Sequence, residues 1–334
     1  MDGVQQGVSP HIELVIRLGF FAGVLLLMTL WELWAPRRSL SASKRPRWAS
    51  NLGLVAANVV LARFLVPVTA VAAALVAEDR GWGLLHLVDW PVWVEVPLAV
   101  IAFDFAIYIQ HVLFHSLPVL WRLHMVHHAD LDIDVTTGLR FHTLEILLSA
   151  LIKLAVVLVV GPAAVAVVAF EVLLNATSMF NHSNVRMPVK VDRALRWFVV
   201  TPDMHRVHHS VIRRETNSNF GFNLPWWDYL LGTYRSQPAE GHEGMTIGLA
   251  TMRDERQVDR ISGMLMLPFR PPAPGYSLDQ AAATGDGDDG GHDDGGHDDG
   301  GQDDGGQGTD RDQGDSGDRR ETAKGRGVTP GRAG

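Results

Sequence analysis

The chain has no cysteine among its 334 residues. That excludes disulfides, thiolate zinc sites, cysteine-ligated iron–sulfur clusters and cysteine nucleophiles. A Gly-rich G-x-G-x-x-G dinucleotide fingerprint is also missing. Any reducing equivalents must therefore come from a separate protein or a bound organic cofactor. The body of the chain lacks a charge excess of either sign. The net charge of −8 arises within residues 285–334, which hold 14 acidic and 6 basic residues, while the rest carries 23 of each. No basic surface for nucleic acid is expected. The acidic end has almost no apolar residues and repeats HDDGG, HDDGG and QDDGG from His292 to Gly306. Such a segment cannot bury enough surface to offset chain entropy, so residues 277–334 are expected to be disordered.

Long apolar runs, by contrast, are plentiful. Residues 12–34 are long enough to span a bilayer and end in Trp31 and Trp34. No basic segment precedes this run and no small-residue cleavage site follows it, so it reads as a retained span and not as a signal peptide. A basic loop comes next, with Arg37, Arg38, Lys44, Arg45 and Arg47, and such loops stay on the cytoplasmic side. A second span is expected over 52–76, with Arg63 snorkelling or facing protein. A third covers 92–109. Two shorter runs, 144–160 and 163–178, meet at Gly161-Pro162, a turn signal that makes them a hairpin. With the basic loop inside, the segments after the third span and after the hairpin both fall on the cytoplasmic side, as does the C-terminus. Leu224, Trp226, Trp227, Tyr229 and Leu230 suggest a stretch at the membrane surface, or an ordinary packing contact. Residues 236–275 show no readable motif.

Both of these cytoplasmic segments are rich in histidine. The first holds His111, His115, His124, His127, His128 and His142; the second holds His182, His205, His208 and His209. His111 and His115 are four apart and share a helix face. The pattern H-x-x-H-H occurs at 124/127/128 and again at 205/208/209, where the first histidine meets the others at plus three and plus four. Neutral imidazole suits iron, zinc, copper or nickel, and ten of them suffice for a paired-metal site. Metal-bound histidine commonly gives its second N–H to a carboxylate. Asp104, Asp130, Glu145, Asp203 and Asp228 are candidates for that role, or else are salt-bridge and helix-cap residues. Arg140 and Arg206 lie beside ligands and can pair with these acids. His11, His86 and His242 fall outside every pattern and read as structural.

Taken in order, H-x-x-x-H at 111–115, H-x-x-H-H at 124–128, Arg140-x-His142, Asn181-His182, T-P-x-x-H-R-x-H-H at 201–209, and WD followed by GT at 227–233 resemble the fatty acid hydroxylase and sterol desaturase superfamily of membrane di-iron oxygenases. The resemblance covers roughly 95–235. It implies a bundle of about four core helices capped on the cytoplasmic side by the histidine segments. It further implies two irons, dioxygen as co-substrate, two electrons from a separate electron-transfer protein, and a lipid or sterol-like substrate entering from the bilayer. No catalytic residues beyond the metal ligands are expected.

The expected architecture is thus an all-α integral membrane protein of four to five membrane helices with a histidine-rich cap and a disordered tail. The expected division is 1–90 for the N-terminal spans and basic loop, 91–240 for the catalytic domain, 241–276 for an extension and 277–334 for the tail. Hydroxylation and desaturation are equally open from the sequence. A membrane metal-binding or transport protein, and a membrane hydrolase using one metal and a water, are the competing readings. Neither competitor needs oxygen and a reductant.

Overall fold

The computed structural model describes residues 10–271 and 276–278; the acidic repeats lie outside them. Among the described residues there is no β-strand, and only two isolated bridges occur, Pro36 with Val185 and Ser210 with Ile247. Five helical stretches are long and apolar enough to cross a membrane. The chain is an all-α, multi-pass membrane protein.

Helix α1, Pro10–Trp34, is apolar nearly all round, and Leu14, Leu18, Leu26, Leu30 and Leu33 are exposed along it. That pattern belongs to a helix whose solvent is lipid. It packs on α7, Ala164–Asn181. The second passage differs from the single run expected over 52–76. It is made by α2, Lys44–Leu65, and α3, Ala70–Arg80. The break falls at Pro67, which has no N–H to continue the ladder and drives Val66 out of the helical region, to φ −126° and ψ 75°. Thr69 restarts the helix by accepting a hydrogen bond from the Ala72 amide. The first four turns of α2 are not wholly lipid-facing either: Arg47, Asn51 and Asn58 are buried among polar partners. Arg63, five residues beyond Asn58, is exposed and does not face protein.

Helix α4, Val92–Ser116, runs past the apolar segment and carries His111 and His115 on its last turns. Pro118 at the first position of α5, Pro118–His128, starts a helix that folds back against α4. Helix α6, Thr143–Val160, and α7 form the expected hairpin, with Gly161 in the left-handed conformation at φ 61°. A side chain at Gly161 would strike the backbone of Trp82 and Gly83, so the turn after α3 and the hairpin turn seat against each other. Near that end α3, α4, α6 and α7 pack through Ala73, Ala74, Ala99, Phe103, Val157, Ala166 and Phe170. Small residues let membrane helices approach closely, where dispersion replaces the hydrophobic drive.

At the opposite end the segment between α5 and α6 is buried almost throughout. Asp130, Asp132 and Asp134 alternate along it, all with no solvent exposure. Asp130 and Asp134 accept from the Arg47 guanidinium, Asp134 also from Trp48 Nε1, and Asp132 from the amides of Ser41 and Ala42. Glu32 at the end of α1 accepts from the amides of Val135 and Asn184. The N-terminal helices are therefore clamped onto the cap by charge-assisted hydrogen bonds.

Candidate metal centre

Nine of the ten expected histidines converge at this end of the bundle, in two groups. One holds His111, His115, His124, His128 and His208; the other holds His127, His182, His205 and His209. Within each group the candidate ligand atoms lie within 4.8 Å of one another. The groups are adjacent, with the His128 and His209 rings stacked at 4.7 Å.

Helix geometry sorts them. Residues four apart differ by about 40° around a helix, and neighbours by about 100°. His124 and His128 on α5 therefore serve one group, and His127 the other. After the short α8, Val189–Leu195, comes α9, Pro202–His208, on which His205 and the capping His209 serve the second group and His208 crosses to the first. The expectation that the first histidine of H-x-x-H-H meets both others is thus half met: the plus-four partner shares its group and the plus-three partner does not. Helix α9 is started by Thr201, which accepts from the Met204 amide, with Pro202 at its first position. His182 closes α7, and its Nδ1 donates to the Ser178 carbonyl at 2.7 Å.

The outward nitrogens settle what the inward ones carry. His111 Nδ1 donates to Phe220 O, His115 Nδ1 to Asn217 Oδ1, His124 Nδ1 to Glu145 Oε1, His127 Nδ1 to Arg140 O, and His208 Nδ1 to Ser218 O. A ring that donates from Nδ1 in its neutral form has a bare lone pair on Nε2. These bare nitrogens face one another: His111 with His124 at 3.1 Å and with His208 at 3.0 Å, His127 with His182 at 3.1 Å. Lone pairs so placed repel unless a cation lies among them. Both ring nitrogens of His209 and the Nδ1 of His205 are buried without a hydrogen-bond partner. The donor set thus fits metal, and its all-imidazole composition suits a first-row transition ion.

Burial keeps the rings neutral. It pushes His124 and His182 down to about 3, and burial, reinforced by neighbouring imidazoles, holds His127, His128, His205, His208 and His209 well below the ordinary histidine value. In an unfolded chain the same rings take up protons near pH 6.5. Between about pH 3 and 6.5 the unfolded state binds more protons, so the stability of metal-free protein rises with pH across that window and levels off above it. Thermal unfolding of chelator-treated protein in detergent, scanned from about pH 5 to 8, should show a midpoint that climbs to pH 6.5 and then flattens. A midpoint indifferent to pH below 6.5 would contradict the buried neutral cluster.

The structure does not bring His142 to either group. Its Nδ1 accepts from the Leu144 amide as the N-cap of α6, and its Nε2 contacts the Leu265 carbonyl. Of the acids expected beside the ligands, only Glu145 touches a histidine ring nitrogen of the two groups, at 2.6 Å from His124 Nδ1. Asp228 and Asp104 act one step further out. Asp228 accepts from the amides of Phe220 and Gly221, and Asp104 from those of Asn223 and Leu224 and from Trp227 Nε1. Together they hold the 217–224 loop, whose acceptors orient His111, His115 and His208. Asp130 faces Arg47 and Thr137, Asp203 faces Arg206 and Arg37, and the Arg140 guanidinium faces Asp259. The sequence reading missed Asn217, Ser218, Phe220 and Ser178, which act mostly through backbone carbonyls that no residue type announces.

A cavity of about 520 Å³ reaches His111, His124 and Glu145 from the side. Leu18 and Phe20 of α1 and Val59 of α2 line it and are also exposed. It therefore opens between α1 and α2 onto the lipid-facing surface.

Residues 96–233 match the family model for fatty acid hydroxylase. That segment is a fatty acid hydroxylase domain. Among curated relatives, an ornithine lipid hydroxylase of Rhizobium tropici is 36% identical over 156 residues, 45% of this chain and 44% of the relative. An alkylglycerol monooxygenase of Homo sapiens is 28% identical over 149 residues, 44% of this chain and 32% of the relative. A cholesterol 25-hydroxylase of Mus musculus is 28% identical over 147 residues, 43% of this chain and 48% of the relative. The chain thus spans less than half the length of these relatives. No solved structure matches it. The matched fatty acid hydroxylase segment contains all nine converging histidines and the 217–224 loop, but not α1, α2 or the segment that follows residue 233.

Proposed function

We propose that the protein is a membrane-bound, O2-dependent hydroxylase that inserts oxygen into a C–H bond of a lipid, with a pair of irons held by the nine converging histidines. The observation that carries this reading is the union of two adjacent groups of neutral imidazoles with a lateral cavity that opens to lipid. Bound iron would supply the redox chemistry that activates dioxygen. The chain's own residues do the rest. His111, His115, His124, His128 and His208 would hold one ion, and His127, His182, His205 and His209 the other. Glu145 and the 217–224 loop fix the ring tautomers, which keeps the Nε2 lone pairs aimed inward. Apolar walls from Phe114, Leu139, Phe141 and Ile146 exclude water and position the carbon to be oxidised.

Electrons are proposed to come from a separate protein, since the chain has no thiolate ligand for a cluster of its own. The cap is proposed to face the cytoplasm, a placement supported by the basic residues that follow α1 at the cap end. Residues 91–240 are proposed as the catalytic unit. The relatives named as hydroxylases favour hydroxylation over desaturation. A transport reading is disfavoured because the nine histidines gather at the cap instead of lining a route through the spans.

The test is iron-loaded, full-length protein in lipid nanodiscs with a chemical reductant and membrane lipid extract. Under labelled dioxygen one lipid class should gain a single labelled oxygen atom, and under argon none should. Turnover that persists without oxygen, or incorporation of oxygen from water, would point to hydrolysis and end the proposal. Comparing membrane lipids from cells with and without the gene, under air, would then name the lipid.

A further inference from the structure

Helices α6 and α7 are strongly apolar, yet each carries polar residues on the face that lines the cavity. On α6 these are Ser149 and Lys153, continuing the stripe of Glu145 at four-residue intervals. On α7 they include Glu171. Glu171 accepts from Lys153 at 2.6 Å and is paired with Arg17 of α1. Lys153 and Glu171 stand in the middle of 18-residue helices, about 15 Å from their cap ends. That depth is close to the centre of a hydrocarbon layer about 30 Å thick. Ions there are costly, and where they line a cavity they mark a substrate path.

The group is not sealed by its own pairing. The side chains of Arg17 and Lys153 keep 28% and 25% of their surface open. Arg17 also pairs with Glu13 through its Nε at 2.8 Å, while of the three donors of the Lys153 ammonium Glu171 takes one. Between this group and the histidines stands Gln110 of α4. Its Nε2 donates to Ser149 Oγ at 2.9 Å, while its Oε1 is buried with no donor. An unmet acceptor in such a place is destabilising unless a ligand supplies the hydrogen. A plain hydrocarbon chain or ring would need none of these groups.

We propose that Arg17 and Lys153, with Glu171 between them, form a subsite for the anionic head of an amphiphilic substrate, a carboxylate or a phosphate, and that Gln110 Oε1 receives an N–H or O–H borne between that head and the oxidised carbon. This rests on the lipid-hydroxylase reading and deepens it. Eight residues of α6 separate Lys153 from Glu145, about 12 Å of helix rise. The subsite therefore sets which carbon meets the histidines, by distance from the head.

The test uses full-length protein in nanodiscs and three probes with one common chain and an internal amide, bearing a carboxylate, a phosphate or a methyl-ester head. Displacement of a fluorescent fatty probe reads binding without turnover. The wild type should bind one of the anionic probes about tenfold more tightly than the ester, the factor expected from one charge-assisted contact. The preferred anion distinguishes the two head chemistries. In Lys153→Met that preference should collapse toward one, and Lys153→Arg should restore it. A fourth probe joins the preferred head to the same chain through an ester in place of the amide; the wild type should bind it more weakly than the amide probe, and in Gln110→Leu that difference should vanish. Equal binding of all three heads by the wild type overturns the subsite, as does a Lys153→Met protein of normal thermal stability that keeps the preference. Absence of oxygen-dependent turnover with every lipid would sink the hydroxylase reading instead, and the binding preference would still judge the subsite.

Discussion

Replacing His208 by alanine is expected to abolish lipid turnover and lower bound iron while the protein still inserts in membrane. His208 is the one residue of the second H-x-x-H-H that crosses to the five-histidine group. Its Nε2 lies 3.0 Å from that of His111, and its Nδ1 is fixed by the Ser218 carbonyl. No neighbour can take its place, because His205 and His209 are committed to the other group by the pitch of α9. His142→Ala is the matched control. That ring caps α6 and belongs to neither group, so its loss should cost about 0.5–2 kcal/mol of stability and leave iron content intact. Iron analysis beside turnover in the two variants decides the point. Equal iron in His208→Ala and wild type would remove His208 from the centre, and iron loss in His142→Ala would return His142 to it.

Arg47→Ala should be the most destabilising single change in the cap. The guanidinium has no solvent exposure and holds Asp130 and Asp134, both fully buried. Removing one partner of such a group leaves uncompensated charge in a medium that solvates it poorly, which typically costs about 3–5 kcal/mol. The expected result is a large fall in the unfolding midpoint and loss of monodisperse protein in mild detergent. Replacing Arg47, Asp130 and Asp134 together by apolar residues of similar size should be less harmful than Arg47→Ala alone. The excess harm then lies in the stranded carboxylates. If the single and triple variants unfold together, the clamp is held by packing and not by charge.

The long helices were readable because lipid imposes a length and a composition on anything that crosses it. Nine histidines were readable for a related reason: spacings of three and four put side chains on one side of a helix. His142 was expected among the others because of its neighbourhood, and the structure places it at a helix cap apart from both groups. It precedes an apolar run and has Glu145 three residues on, which is a helix-start signature as much as a metal motif. The break in the second passage was announced by Pro67, and overlooked because the hydropathy around it continues without interruption. The alternating Asp130, Asp132 and Asp134 gave no hint of full burial. Charges in that pattern usually face water, and their partners Arg47 and Ser41 come from some 80–90 residues earlier in the chain. Backbone acceptors such as Ser218 O and Phe220 O are written in no side chain, so only folding reveals them.

The crossing of each short histidine helix into both groups has a mechanical result. Turning α5 or α9 about its axis would advance one set of nitrogens while withdrawing the other. A helix in that position has no free degree of rotation once either set is engaged. Filling one half of the centre would thus brace the other half against twist, and the two halves would behave as a single rigid fixture.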